Sequence, residues 1–333
     1  MSDEAILELE KAMADTAVWG IPELYDLPRP DKAVCLKYSE NIIFRLDFAD
    51  ALPLILRVHR PGYHRLEELE GELRWMEELS RDTDILLPEV LRGRDGEALQ
   101  ELRLPEGRSY HCSVVSFLDG DTLDGISGAE LYRAVEELGE ITAKLHIQSM
   151  GRNRENRLER FSWDIHNFFD EDGIWGSWRS YPGLDGVERQ ILLSCQKRIT
   201  AELEHFGRTP GHYGLIHADL HFCNVIRKNG KNQIFDFDDC GYGFYLYDLG
   251  CTLVTCSSDI KDLIRSWVRG YERVRLLSME EKNLLPMFVL LRRIVRLGWL
   301  AGHWDSDTRS TVASDYLPVT IAMARNWCLT GNI

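Results

Sequence analysis

The sequence predicts an α+β fold in two lobes. The first, residues 1–118, is a small antiparallel-sheet lobe with one main helix; the second, residues 119–333, is larger and mostly helical. Three observations carry this expectation. Six short β-rich runs crowd into the first 118 residues around one amphipathic stripe. A polar break, Leu118-Asp119-Gly120, follows them, and from Gly128 onward apolar residues recur mainly at helical spacing. Inside the helical part lies a His-x-Asp loop, then an Asn and a second acidic cluster, all between His217 and Asp239.

Along the chain, Glu4–Val18 sets Ile6, Leu7, Met13 and Val18 among acidic residues and predicts a short amphipathic helix. Pro22, Pro28 and Pro30 are expected to end that pattern. Ala33–Tyr38 and Ile42–Phe48 read as strands joined by the tight polar turn Ser39-Glu40-Asn41. Leu52–His59 is a third strand, with Arg57 near its end and Pro61-Gly62 as its stop. Leu66–Leu79 predicts a helix because Leu66, Leu69, Leu73, Met76 and Leu79 share one stripe, and Glu72 falls inside it. Further strands are expected over Glu89–Arg92, Ala98–Leu104 and Tyr110–Phe117. The second lobe is expected to hold helices over Glu130–Gln148, Leu184–Phe206, Asp259–Leu277 and Glu280–His303. Between the first two, Phe161–Trp178 is rich in aromatics. Trp163, Trp175 and Trp178 there either line a pocket or fill core, and core is the default for side chains of that size.

Composition narrows the function classes. The 39 basic and 54 acidic residues give a net charge of −15, which argues against a nucleic-acid backbone as the main partner. The start, Met1-Ser2-Asp3-Glu4, has neither the basic nor the apolar run of a secretory leader. No apolar run reaches the roughly 18 residues a spanning helix needs, so no membrane partner and a cytoplasmic location are expected. The eight cysteines show no C-x-x-C spacing, which favours free, buried thiols in a reducing compartment over a zinc site.

The chemistry concentrates in His217-Ala218-Asp219-Leu220-His221-Phe222-Cys223-Asn224 and in Phe235-Asp236-Phe237-Asp238-Asp239. A His-x-Asp with an Asn five residues beyond the Asp matches the catalytic loop of kinases, which supplies a carboxylate for an acceptor hydroxyl and an amide for a metal. Asp236 follows Asn224 by twelve residues, at the end of the apolar-alternating run Gln233-Ile234-Phe235, where a metal-binding carboxylate belongs. The bland alternative is a polar turn followed by an edge strand with solvated carboxylates.

These residues resemble the aminoglycoside phosphotransferase and choline kinase family, small relatives of the protein kinases. That family's loop is H-G-D-x-x-x-x-N, with Ala218 here in place of Gly, and its metal motif is close to the run ending in Asp238-Asp239. Cys240-Gly241-Tyr242-Gly243 with Tyr247-Asp248-Leu249, and Leu138-Gly139 with Ala143 and Leu145-His146, also resemble family motifs. The likeness runs from about Ser39 to Leu249. Leu56–Gly62 is most similar to the stress response kinase A and type II homoserine kinase branch.

The resemblance implies a protein-kinase-like fold, ATP and Mg²⁺ as cofactors, and a role for each motif residue. Asp219 is the catalytic base; Asn224 and Asp236 are the metal ligands. Arg57 stands where the protein kinases carry the strand lysine that holds ATP phosphates, with Glu72 as its helix partner and Glu68 as the rival. No G-x-G-x-x-G is present, so Ser39 and Asn41 of the short S-E-N turn would cover the phosphates. The backbone of Ser116, Phe117 and Leu118 would pair with adenine. His217 would support the loop, and Asp248 would anchor it through buried backbone N–H groups. His221 either faces the acceptor or packs, and Asp238 and Asp239 are either site or structural carboxylates. The implied reaction is transfer of the γ-phosphoryl group to a hydroxyl of a small molecule: an amino alcohol, a hydroxy amino acid or an aminoglycoside-like compound. A protein Ser/Thr kinase of the stress response kinase A type is the alternative, and a nucleotide-binding pseudokinase regulator the second. Retention of Asp219, Asn224 and Asp236 together speaks against the last.

Overall fold

The computed structural model describes residues 3–38, 41–152, 157–303 and 315–333. By contact the chain forms two compact units. The first comprises the chain up to Asp121 with Arg157–Arg160 and Lys228–Asp238; the second comprises Thr122–Asn156, Phe161–Arg227 and Asp239–Ile333. The two later segments join the first unit for physical reasons. Arg160 Nη1 donates to the Glu68 carbonyl at 2.7 Å, and Ile234 N–H donates to the Leu86 carbonyl at 2.9 Å.

In the first unit, α1 (Asp3–Leu24) precedes β1 (Lys32–Tyr38), β2 (Asn41–Asp47) and β3 (Leu54–His59). Then come α2 (Leu66–Asp82), β4 (Val90–Leu91), β5 (Leu99–Arg103) and β6 (Ser109–Ser116). The strands form one antiparallel sheet in the order β1-β2-β3-β6-β4, with β5 also paired to β6. Successive strand side chains point to opposite faces. Leu56 and Val58 therefore enter the core with Met13, Ala17 and Ile21 of α1, while Arg57 between them points the other way and meets Glu72 of α2.

Helix α1 is longer than the expected Glu4–Val18 and passes through Pro22. Two interactions explain this. Ile21 and Tyr25 continue the buried stripe of Met13 and Ala17. Arg94 also takes up the carbonyls of the last turn, its guanidinium donating to Pro22 O and its backbone N–H to Leu24 O. The first unit thus holds two long helices rather than one.

The second unit is mostly helical: α3 (Gly128–Gly151), α4 (Ile165–Phe169), α5 (Gly186–Phe206), α6 (Tyr247–Thr252), α7 (Ile260–Tyr271), α8 (Met279–Gly302) and α9 (Tyr316–Thr330). An antiparallel pair, β8 (Tyr213–Ile216) with β11 (Gly241–Phe244), sits among them. The short strands β7 (Asp121–Thr122), β9 (Val225–Lys228) and β10 (Lys231–Ile234) occur where the chain passes from one unit to the other. Capping starts α5 and α8 cleanly: Asp185 with Glu188, and Ser278 with Glu281, exchange side-chain and backbone hydrogen bonds. Helix α9 is absent from the expected elements, yet Tyr316, Thr320, Ile321, Met323, Ala324 and Trp327 form a buried helical stripe. Among the described residues no helix is long and apolar enough to cross a membrane.

Helices α3 and α7 approach through two glycines. A Cβ on Gly270 would lie 1.7 Å from the Glu136 carbonyl oxygen, and one on Gly139 would lie 2.1 Å from the Trp267 carbonyl oxygen. Backbone cannot yield as a side-chain tip can. Gly270→Ala is therefore expected to lower the unfolding free energy by about 1–3 kcal/mol or more. Gly151→Ala, at the open end of α3 with nothing within 4 Å of its added methyl, should be neutral or slightly stabilising. Urea denaturation of the two variants checks both outcomes.

Candidate active site

The loop after β8 is fixed from beneath by α6. Asp248, fully buried, accepts the His217 N–H on Oδ2 at 3.1 Å and the Ala218 N–H on Oδ1 at 2.7 Å. His146 Nε2 lies 3.1 Å from the same Oδ2, and its Nδ1 lies 2.8 Å from the Tyr271 hydroxyl. Burial holds the His146 imidazole below its ordinary value, although the bond to Asp248 works the other way, so the ring is the neutral donor to Asp248. One turn further along α6, Cys251 donates its S–H to Ala218 O at 2.9 Å, and Thr252 donates its hydroxyl to Leu220 O at 3.1 Å. Ala218 takes a left-handed φ of 62°, which explains why glycine is usual there. Four bonds around the residue hold alanine in a conformation that glycine reaches without cost.

Above that anchor stands Asp219. Arg292 Nη2 donates to its Oδ1 at 2.5 Å, Asn224 Nδ2 donates to its Oδ2 at 2.9 Å, and His221 Nε2 lies 3.3 Å from Oδ2. The helical turn Phe222–Asn224, capped by His221, places Asn224 against Asp219; the Asn224 amide nitrogen also donates to Asp219 O at 3.0 Å. Asn224 thus spends its nitrogen on Asp219, and its oxygen is the atom left to hold a cation. Burial alone would raise the Asp219 carboxyl, but His221 and Arg292 outweigh it and hold the group well below the usual carboxylate range.

Arg292, on α8, is a site residue that sequence reading missed. Its guanidinium is buried, donates to the Tyr247 hydroxyl at 3.2 Å and stacks 4.1 Å from the centre of the Trp175 ring. The available signal was the Arg292-Arg293 pair inside the apolar run Phe288–Leu297, where a charge needs a partner. Arg293 finds a structural one, donating to Thr320 Oγ1 and to the Val254, Cys256 and Tyr316 carbonyls. Trp163, Trp175 and Trp178 are buried, as the core expectation has it.

In the first unit, Arg57 Nη2 lies 2.5 Å from Glu72 Oε1, and Arg57 Nη1 lies 3.8 Å from Asp238 Oδ1. Glu68, the rival partner, pairs instead with Arg65 at 3.2 Å. Asp238 is further held by His64 Nε2 at 3.5 Å from its Oδ2 and by Arg160, which donates to its carbonyl. Burial would raise the Asp238 carboxyl, but His64 and Arg57 hold it well below the usual range. Asp236 also lies in this unit, with a left-handed φ of 64°, and the following Phe237 packs edge-on to Trp75. Asn41 opens β2, buried and opposite His59.

Of the residues expected to meet the nucleotide, Ser116 closes β6. The Ser116 N–H donates to the Glu89 carbonyl at 2.9 Å, and the Ser116 hydroxyl accepts the Glu89 N–H, so its N–H is committed to the sheet. Phe117 and Leu118, half-buried, continue beyond β6. Ser39 lies outside the described residues.

The chain matches the model of a phosphotransferase enzyme family over residues 39–278. It is similar to the solved structure of a microcompartment-associated aminopropanol kinase, 32% identical with a TM-score of 0.83, over 94% of this chain and 97% of that one. It is 24% identical over 292 residues to an amicoumacin kinase of Bacillus subtilis (strain 168), covering 84% of this chain and 82% of that protein. It is 19% identical over 276 residues to the stress response kinase A of Salmonella paratyphi A, covering 81% of this chain and 77% of that protein.

His221 reports on the charge of Asp219. In the neutral ring Nδ1 accepts the Cys223 N–H and Nε2 donates to Asp219; protonation gives up the first contact and strengthens the second. Burial lowers the imidazole, but the Asp219 carboxylate outweighs burial and pushes it up to about 9. Because this exceeds the ordinary value of about 6.5, the stability His221 contributes is full below that value and is lost as pH rises through about 9. Imidazole NMR of the wild type should show that high midpoint. In Asp219→Asn, where burial acts without the opposing charge, the midpoint should fall below the ordinary value.

Proposed function

Since the chain belongs to the phosphotransferase enzyme family and is a kinase, we propose that it moves the γ-phosphoryl group of Mg-ATP to a hydroxyl of a small molecule. An amino alcohol is the first choice of acceptor, ahead of a hydroxy amino acid or an aminoglycoside-like compound. The observation that carries the proposal is the Asp219 carboxylate, kept ionised and oriented by Arg292 and Asn224 on a loop pinned by Asp248. The likeness to an aminopropanol kinase at 32% identity supports the amino alcohol.

Asp219 orients the acceptor hydroxyl and takes its proton late. A carboxylate of low basicity suffices when the transition state is loose, because the hydroxyl then needs aiming more than early deprotonation. The Asn224 amide oxygen and the Asp236 carboxylate are hard oxygen donors of the kind Mg²⁺ prefers and would hold it. When bound, Mg²⁺ supplies neutralisation of phosphate charge. Arg57, braced by Glu72, would engage the phosphates through its remaining N–H groups, with Ser39 and Asn41 covering them. The backbone of Ser116, Phe117 and Leu118 would meet the adenine. The absence of a long apolar helix among the described residues fits a cytoplasmic location.

A second reading, a protein Ser/Thr kinase, is favoured by the likeness to stress response kinase A at 19% identity. One assay separates the two. The purified protein is incubated with Mg-ATP and a panel of amino alcohols, hydroxy amino acids, aminoglycosides and polypeptides, and ADP release is followed. Turnover with one small alcohol supports the proposal, labelled polypeptide supports the second reading, and tight ATP binding without turnover across the panel overturns both.

Two variants test the residue roles. Asp219→Asn keeps an oxygen for Arg292 but removes the base; it should cost about 10²–10⁴-fold in turnover and leave nucleotide affinity nearly unchanged by calorimetry. Asp236→Ala should weaken Mg-nucleotide binding as well as turnover. Full activity in Asp219→Asn would refute the assignment of the base.

A further inference from the structure

We propose that Cys195 and Cys328 are a site of reversible oxidation, forming a disulfide that clamps the last helix, α9, to α5 when the protein meets a peroxide. The eight cysteines read from sequence as unremarkable free thiols, and these two stand 133 residues apart. The packing of α9 on α5 brings their sulfurs to 2.8 Å. Non-bonded heavy atoms ordinarily rest about 3.5–4.0 Å apart, and a formed S–S bond is about 2.05 Å. The two sulfurs therefore need only a small further approach to bond.

The surroundings divide the labour between them. Cys195 is wholly buried on α5, its thiol pushed up by burial and donating to the Ala324 carbonyl at 3.3 Å. Cys328, near the end of α9, is partly exposed and is the sulfur that a small oxidant reaches. Arg198, three residues along α5 from Cys195, stacks 4.4 Å from the centre of the Trp327 ring and donates to the Trp327 and Cys328 carbonyls at 2.9 and 3.2 Å.

The chemistry closes with hydrogen peroxide as the oxidant. The Cys328 thiolate attacks one peroxide oxygen; an S–O bond forms, the O–O bond breaks, and the departing hydroxide takes a proton to leave as water. The Cys195 sulfur then attacks the Cys328 sulfenic acid. The S–S bond forms, the S–O bond breaks, and the hydroxide leaves as a second water carrying the Cys195 proton. Two thiols are oxidised and one peroxide is reduced to two waters; a dithiol reductant reverses the bond. The new link closes a 133-residue loop, and closing a long loop restricts the unfolded chain more than closing a short one.

The test uses the full-length protein and does not depend on its acceptor. Reduced protein is treated with a stoichiometric dose of hydrogen peroxide, unfolded, alkylated with iodoacetamide and mapped by mass spectrometry, with thermal unfolding measured in parallel. The expected result is loss of alkylation at two of the eight cysteines, one cross-linked peptide containing Cys195 and Cys328, and a raised melting temperature that dithiothreitol reverses. Cys328→Ser should show neither the link nor the rise. Cys195→Ser should leave Cys328 as a sulfenic acid trapped by dimedone. Eight cysteines still alkylated after treatment would overturn the proposal. So would oxidation confined to the exposed Cys223, or the same melting shift in Cys328→Ser.

Discussion

The carboxylate of Asp248, buried without access to water, sets the position of everything above it. An uncompensated charge in that place would cost several kcal/mol, and the two loop N–H groups and His146 are what satisfy it. The dependence runs both ways. Asp248 needs donors at two consecutive residues, and the loop needs an acceptor beneath the left-handed turn at Ala218. The carbonyl ends of the turn are tied to the same short helix by Cys251 and Thr252. One turn of α6 thus fixes the direction in which Asp219 leaves the loop, before any ligand is considered.

A second layer of charge rests on that anchor. Asp219 is surrounded by a guanidinium, an amide and an imidazole, and their combined effect exceeds the penalty of burial. The result is an acid that stays ionised and points in one direction, at the expense of basicity. Such a group suits a reaction in which the hydroxyl must be aimed and its proton is released late, and it suits poorly one that needs a strong base early. Asp238 in the first unit follows the same plan: a buried carboxylate kept charged by His64 and Arg57 and fixed at its backbone by Arg160.

What could be read from the sequence was whatever is local. The His217–Asn224 spacing, the anchoring role of Asp248 and the strand–helix pairing of Arg57 with Glu72 each rest on short motifs or on strand and helix periodicity, and the geometry has all three in place. Arg292 and His64 could not be read that way. Each reaches its carboxylate across long sequence separation, and nothing near Asp219 or Asp238 in the chain specifies it. Helix α9 was obscured because polar residues interrupt its buried stripe and no side-chain cap marks its start at Asp315, so that packing against α5 and α8 is what reveals it.

The change from lysine to arginine on β3 gains a physical explanation from the same neighbourhood. A lysine presents one nitrogen, which can approach Glu72 or Asp238 closely but has no fixed fork with which to face both. The Arg57 guanidinium reaches Glu72 with Nη2 and faces Asp238 with Nη1, the two carboxylates lying on different segments of the chain. Because an arginine keeps its charge on burial, it can serve both at a site where Glu72 is wholly enclosed. Arginine at this position and the buried Asp238–His64 pair therefore belong together: the second carboxylate makes a forked cation worth having, and His64 Nε2, at 3.5 Å, stands beside the carboxylate that Arg57 alone, at 3.8 Å, meets only loosely.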